Sequence, residues 1–212
     1  MTDRTAPRAK AAHVWDKHPD EFYTEPKWCS SRLFDVEDFT GGILDPCCGR
    51  GNILDSADDH RLAAVGFDLV ARSPLTRDTP VDFLSESFPA EIVMPKIGEV
   101  RHIVANPPFD LGREFALRAL GLIGDGAKVA MIMPTRRLNA AGEWLARTPV
   151  KRILYLTPRP SMPPGEEFER LLALGKQPSG GTQDFAWCVW QRGYVGPRTV
   201  DWLHRDKGKG TA

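Results

Sequence analysis

The chain carries no net charge, because 28 basic and 28 acidic residues balance. A disordered polyelectrolyte and a strongly basic coat are thereby excluded. Neutrality also argues against tight non-specific nucleic-acid binding, although local patches survive it. Cysteine is scarce. Cys29, Cys47, Cys48 and Cys188 match no zinc spacing, and the adjacent Cys47-Cys48 is a poor disulfide candidate. They read as the reduced thiols of a cytoplasmic protein with no metal centre. No apolar run approaches the ~20 residues of a membrane span. The opening Met1-Thr2-Asp3-Arg4 begins no signal-peptide core. Neither an internal repeat nor a second domain stands out.

What is present fits one α/β domain of 212 residues. Residues 1–20 are polar and basic and predict a flexible arm; residues 21–203 form the domain, and residues 204–212 a disordered tail. Thr24 suits an N-cap and Pro26 a first helical turn for a helix carrying Trp28, Leu33 and Phe34 inward. Short runs at 41–45, 62–68, 81–84, 102–105, 128–134 and 152–156 predict strands. Phe115, Leu117, Leu120 and Ile123 mark a helix closed by Gly124, and residues 136–147 another with Trp144 and Leu145 inward. Strands alternating with helices predict a doubly wound, mostly parallel sheet, whose ligands sit at the strands' carboxyl ends. Residues 157–184 are rich in proline and glycine and read as a surface excursion beside that face. Residues 185–190 are apolar on both faces and read as an interior strand.

Asn106-Pro107-Pro108-Phe109 follows the strand at 102–105. Two prolines fix φ and remove two donors, leaving a rigid rim with an amide, a free carbonyl and an aromatic ring. That set suits a flat molecule carrying an exocyclic amine. The Asn106 oxygen and the Pro107 carbonyl can each accept one N–H while Phe109 stacks on the ring. Such an amine is a poor nucleophile because its lone pair is conjugated. Two acceptors favour a pyramidal nitrogen, and the proton leaves only after the nitrogen has become cationic.

Upstream, Asp45-Pro46-Cys47-Cys48-Gly49-Arg50-Gly51 reads as a strand end and a glycine turn before a helix. Gly49 and Gly51 permit φ > 0 and close approach of a ligand. The third glycine of a dinucleotide fingerprint is missing, and no Gly-Lys-Ser/Thr marks a phosphate loop. Asp45 would repel a phosphate and attract a cationic amine. Asp68 ends the next strand about twenty residues on, where a carboxylate can accept both hydroxyls of a ribose. Asp82 with Phe83 offers an acceptor and an apolar wall for an adenine.

Together these pieces resemble the class I S-adenosylmethionine-dependent methyltransferases, and within them the N6-adenine DNA methyltransferases. The resemblance covers about residues 23–190. It rests on Tyr23-Thr24-Glu25-Pro26, the glycine turn, Asp68 and the 106–109 motif, in that order. It implies a Rossmann-like, seven-stranded, mostly parallel sheet with an antiparallel last strand at 185–190 and helices on both faces. It further implies that Tyr23, Thr24 and Pro26 border the cofactor's methionine moiety. Asp45, Pro46, Gly49 and Gly51 would surround its amino group, Asp68 take the ribose, and Asp82 with Phe83 the adenine. Asn106, Pro107, Pro108 and Phe109 would hold a flipped adenine of DNA for attack on the sulfonium methyl. The chain has no room for a large target-recognition domain. Specificity would come from residues 157–184, the Arg136-Arg137 loop, a specificity subunit or a homodimer, or would be relaxed. In this it resembles the compact enzymes of phages and mobile elements. The same tetrapeptide resembles that of guanine-N2 ribosomal-RNA methyltransferases and, with Tyr for Phe, of protein glutamine methyltransferases. A catalytically silent cofactor-binding accessory subunit is the reading from another class.

Overall fold

A computed structural model describes residues 22–76, 80–88, 101–179 and 181–205. The arm expected over residues 1–20, and the tail beyond Arg205, lie outside them. Seven strands form one sheet: β1 (Ile43–Asp45), β2 (Ala64–Gly66), β3 (His102–Ala105), β4 (Lys128–Pro134), β5 (Val150–Thr157), β6 (Phe185–Gln191) and β7 (Thr199–His204). Their order is β2-β1-β3-β4-β6-β5-β7. Strand β6 runs antiparallel to both β4 and β5, and every other neighbouring pair is parallel.

The central strands read as unbroken apolar runs because both faces are covered. Along β4, Val129, Met131 and Met133 enter one cluster while Ala130 and Ile132 enter the other. Along β6 the same alternation sends Ala186, Cys188 and Trp190 one way, and Phe185, Trp187 and Val189 the other. Helices α1 (Trp28–Val36) and α2 (Asn52–Asp59) pack on the Ile132 face through Cys29, Leu33, Ile53 and Ala57. On the opposite face α3 (Gly112–Leu122), α4 (Thr135–Ala140) and α5 (Gly142–Ala146) contribute Phe115, Ala119, Leu138 and Leu145. Trp187 is wholly buried yet satisfied, because its indole N–H donates to the Cys29 carbonyl at 2.9 Å. Below the strands' N-terminal ends, Glu37 accepts from Lys128 at 2.7 Å and from Arg152 at 2.9 Å. Burial pushes the Glu37 carboxyl up, but these two cations outweigh it and hold it below the usual range.

The structure corrects several expectations. Residues 81–84 are a turn, not a strand. The Asp82 carboxylate accepts the Leu84 N–H at 2.9 Å, closing an Asx turn, and Phe83 packs between Phe88 and Phe115 instead of joining a ladder. Thr24 caps no helix. Its N–H donates to the Pro163 carbonyl at 3.2 Å in an extended segment, and α1 starts later, behind Lys27. The helix expected over 136–147 is two short ones meeting at Ala141 and Gly142. Leu117 faces solvent, since the buried stripe of α3 runs through Phe115, Ala116 and Ala119. The antiparallel strand is not the chain's last. After β6 a seventh strand, β7, lies parallel to β5 at the sheet edge with only Leu203 buried, so backbone pairing more than burial holds it. The 157–184 segment is only partly a surface feature: Pro160, Ser161, Met162 and Pro163 are buried, and α6 (Gly165–Ala173) stands outside. Among the described residues no helix is long and apolar enough to cross a membrane.

Ile132 sits at the centre of the sheet with no solvent contact. Ile132→Ala is expected to lower stability in urea unfolding by about 2–5 kcal/mol. A loss under about 1 kcal/mol would be a surface-like response and would contradict this packing.

Candidate active site

The sheet order places the topological switch between β1 and β3. From β1 the chain crosses through α2 to β2 on one side, while β3 pairs on the other. Parallel sheets open a crevice beyond the strand ends at such a point. A cleft of about 460 Å³ lies there, with Asp45, Asp68 and Asn106 on its wall. Asp45 ends β1, Asp68 follows β2 and Asn106 follows β3, so three strand ends aim their polar groups at one space.

Asn106 is half-buried, and its amide orientation is fixed. Nδ2 donates to the Tyr23 carbonyl at 2.9 Å and to Glu25 Oε2 at 2.8 Å. A carbonyl only accepts, so the NH₂ must face Tyr23 and the oxygen must face the other way. Oδ1 is buried with no hydrogen-bond partner. A buried acceptor left unmatched costs on the order of 1–3 kcal/mol, so a donor brought there is bound strongly. Pro107 is buried and Pro108 lines the cleft. Phe109 is placed differently from expectation. It does not line the cleft; its ring stacks on Tyr23 at 5.5 Å and 6° and leans on Phe185.

The glycine turn forms the floor. Gly49 has φ +50°, and a Cβ there would meet the Phe22 ring at 2.9 Å. Gly51 has φ +86° and opens α2, but it and Pro26 stand behind the cleft rather than on its wall. Asp45 is buried and accepts the Cys47 N–H at 3.2 Å. Burial, then the nearby Glu25 and Asp68, push its carboxyl well above the usual range. Asp68 accepts N–H groups from Gly49 at 2.8 Å and Val70 at 2.9 Å, and pairs with Arg72 at 3.0 Å. Asp82 and Phe83 line the far end, the acid exposed and the ring buried.

Sequence reasoning passed over four contributors. Glu25 lines the cleft and is 7 % exposed; burial pushes its carboxyl up to about 7, against the hydrogen bond from Asn106. The Tyr-Thr-Glu-Pro spacing could have marked it. Phe22, Arg50 and Arg72 form the cleft's lip. Arg72 lies 4.2 Å from the Phe22 ring centroid, and Arg50 pairs with Glu169 of α6 while facing Phe168 at 5.5 Å. Residues 22–24 and 163–165 bind each other through the Tyr23–Pro164 bridge and the Gly165 N–H to the Phe22 carbonyl. The N-terminal segment and the foot of α6 are thus one wall.

The donor set suits an elongated cation with a sugar. Thr24 Oγ1, like Asn106 Oδ1, is a buried acceptor without a partner. Beyond its burial, Asp45 has its proton affinity raised by the charges of Glu25 and Asp68, a repulsion that a cationic ligand would relieve. Among the described residues no group of three or more His, Cys, Asp or Glu is placed to hold a metal ion.

The sheet order, the antiparallel strand β6 and the crevice at the β1/β3 switch define the Rossmann-like methyltransferase fold. The particular likenesses are remote. The chain superposes over 84% of its length on 85% of protein Atu636 from Agrobacterium tumefaciens, described as a predicted O-methyltransferase, with TM-score 0.51 and 13% identity. It aligns over 88% of its length with the type I restriction enzyme EcoKI M protein, TM-score 0.49 and 12% identity, spanning 49% of that chain. With the type IIG restriction endonuclease BpuSI it aligns over 82%, TM-score 0.49 and 17% identity, spanning 25% of that chain. The chain therefore spans about half and about a quarter of those two proteins. No family model matches it, and no curated protein matches its sequence.

Glu25 carries a testable sign. Its folded pKa lies above the ordinary 4.5, so its stability contribution is fully present below 4.5 and is lost as pH rises towards about 7. Glu25→Gln removes that loss, so the variant is expected to gain up to about 3 kcal/mol relative to the native chain between pH 5 and pH 8. Urea unfolding at both pH values checks this. Parallel pH dependences in the two proteins would contradict it.

Proposed function

We propose that the protein is an S-adenosylmethionine-dependent methyltransferase that methylates the exocyclic N6 amine of adenine in DNA. The observation that carries this reading is the Asn106 amide. Its nitrogen is spent on two protein acceptors, and its oxygen is left buried and unmatched in a cleft walled by carboxylates. S-adenosylmethionine, when bound, supplies an electrophilic methyl group on a cationic sulfur. Asp45 and the Gly49 backbone would hold its amino-acid end, with Thr24 and Tyr23 alongside. Asp68 would accept the ribose hydroxyls, which requires Arg72 to yield one of its positions. Asp82 and Phe83 would meet the adenine ring.

Opposite, Asn106 Oδ1 accepts one N–H of the target amine and the Pro107 carbonyl accepts the other. Among the described residues no donor is bonded to that carbonyl, whereas the Pro108 carbonyl already takes the Leu111 N–H at 3.0 Å. Two acceptors draw the nitrogen lone pair out of conjugation and stabilise the positive charge that develops on it. The nitrogen then sheds its proton, so no strong base is needed in contact with it. The stacked Tyr23–Phe109 pair forms the aromatic wall beside the base, with Tyr23 rather than Phe109 turned to the cleft. Bringing a paired adenine to this depth costs a few kcal/mol of unstacking, which these contacts offset in part. Recognition of a DNA sequence would fall to α6, to Arg136 and Arg137 beside the rim, or to a specificity subunit or second copy.

Transfer of a tritiated methyl group to unmethylated DNA, ribosomal RNA and protein separates this reading from guanine-N2, glutamine and accessory functions. Label is expected on adenine in DNA. Asn106→Ala is expected to lose about 100–1,000-fold in rate while its thermal shift with S-adenosylhomocysteine persists. Label on RNA or protein but not on DNA would sink the proposal. Gly49→Ala, which crowds Phe22 at a positive φ, is expected to weaken S-adenosylhomocysteine binding by about tenfold or more, read by calorimetry.

A further inference from the structure

We propose that Glu25 is a positioning residue: its carboxylate holds the Asn106 amide so that Oδ1 faces the target amine. The inference rests on the methyltransferase reading and deepens it. Three observations carry it. Asn106 Nδ2 has two hydrogens, and both are committed, one to the Tyr23 carbonyl at 2.9 Å and one to Glu25 Oε2 at 2.8 Å. Oδ1 is then left buried with no partner of its own. Glu25 is itself anchored, because its backbone carbonyl takes the side-chain N–H of Asn52, the first residue of α2, at 2.6 Å. The amide is thus held from the side away from the reacting atoms, and its plane follows Glu25.

A carboxylate is an expensive way to fill that space. Glu25 is 7 % exposed and makes no ion pair among the described residues, while Asp45 from β1, Cys29 from α1 and Cys47 from the glycine turn, each raised first by burial, are raised further by its charge. A glutamine would fill the volume without that repulsion. What the carboxylate adds is a charge-assisted bond, stronger than a neutral one, on the one side chain whose orientation decides the chemistry. The charge also polarises the amide, drawing electron density from the N–H groups toward Oδ1 and making that oxygen a better acceptor for an amine turning cationic.

The test compares Glu25→Ala, Glu25→Gln and the native chain with two separate readouts. The first is the side-chain amide NMR signal of Asn106, identified by its loss in Asn106→Ala. It is expected to shift as pH rises through about 7, and to stay still in Glu25→Gln. The second is methyl transfer to adenine-containing DNA. Glu25→Ala is expected to lower kcat by about 10–100-fold while KM for DNA holds within about threefold. Glu25→Gln, which keeps an acceptor but not the charge, is expected to recover kcat to within about tenfold of native and to lose the acid limb of its pH profile. An amide signal indifferent to pH overturns the proposal. So does a Glu25→Ala variant with kcat within about twofold of native, or one whose kcat falls while its KM for DNA rises in step. A native protein that binds S-adenosylhomocysteine and methylates no acceptor sinks the functional reading instead, and the amide titration still reports Glu25's hold by itself.

Discussion

Two hydrogen bonds from one amide organise the cleft. Asn106 stands where β3 ends and the double proline stops any ladder, so its side chain is free to be claimed by another part of the chain. The claim comes from residues 23 and 25, more than eighty positions earlier, which cross the switch between β1 and β3. Because a carbonyl and a carboxylate only accept, the amide has one orientation, and its oxygen is left over in a dry place. The rest of the fold maintains that arrangement: α2 holds Glu25 through Asn52, and the foot of α6 holds Tyr23 through Pro164.

The charges are sorted along the strands. At the N-terminal ends Glu37 is matched by Lys128 and Arg152, and its proton affinity falls. At the C-terminal ends burial raises the proton affinity of Glu25 and Asp45, and among the described residues neither has a cation paired with it. A protein selected for stability alone gains nothing from gathering acids in a cleft. Acids held short of cations at one end of a sheet are a site prepared for a cation, and the donor in the proposed reaction carries both an ammonium and a sulfonium charge.

Elements written in local pattern were legible in the sequence. The runs at 102–105 and 128–134 are buried through their whole length, and the turn at Gly49 and Gly51 has the positive φ its glycines allow. Asp45, Asp68 and Asn106 do meet in one cleft. What stayed hidden depends on contacts far apart in the chain. Thr24 looked like a cap because nothing nearby reveals Pro163, and Glu25 looked incidental because its partner is 81 positions away. Phe109 stands in the motif like an open platform, yet Tyr23 covers it. Residues 81–84 have a strand's composition, but one Asx turn at Asp82 diverts them. Strand β7 buries too little to leave a periodic trace.

A crystal structure with S-adenosylhomocysteine and an adenosine nucleotide tests the central claim most directly. The account predicts that the nucleotide's N6 lies within hydrogen-bond distance of Asn106 Oδ1, with the cofactor's sulfur on the amine's open side and Asp45 beside its ammonium group. It is contradicted if Oδ1 turns to a protein donor while the NH₂ faces the ligand, or if the cofactor binds away from the acids at 45 and 68.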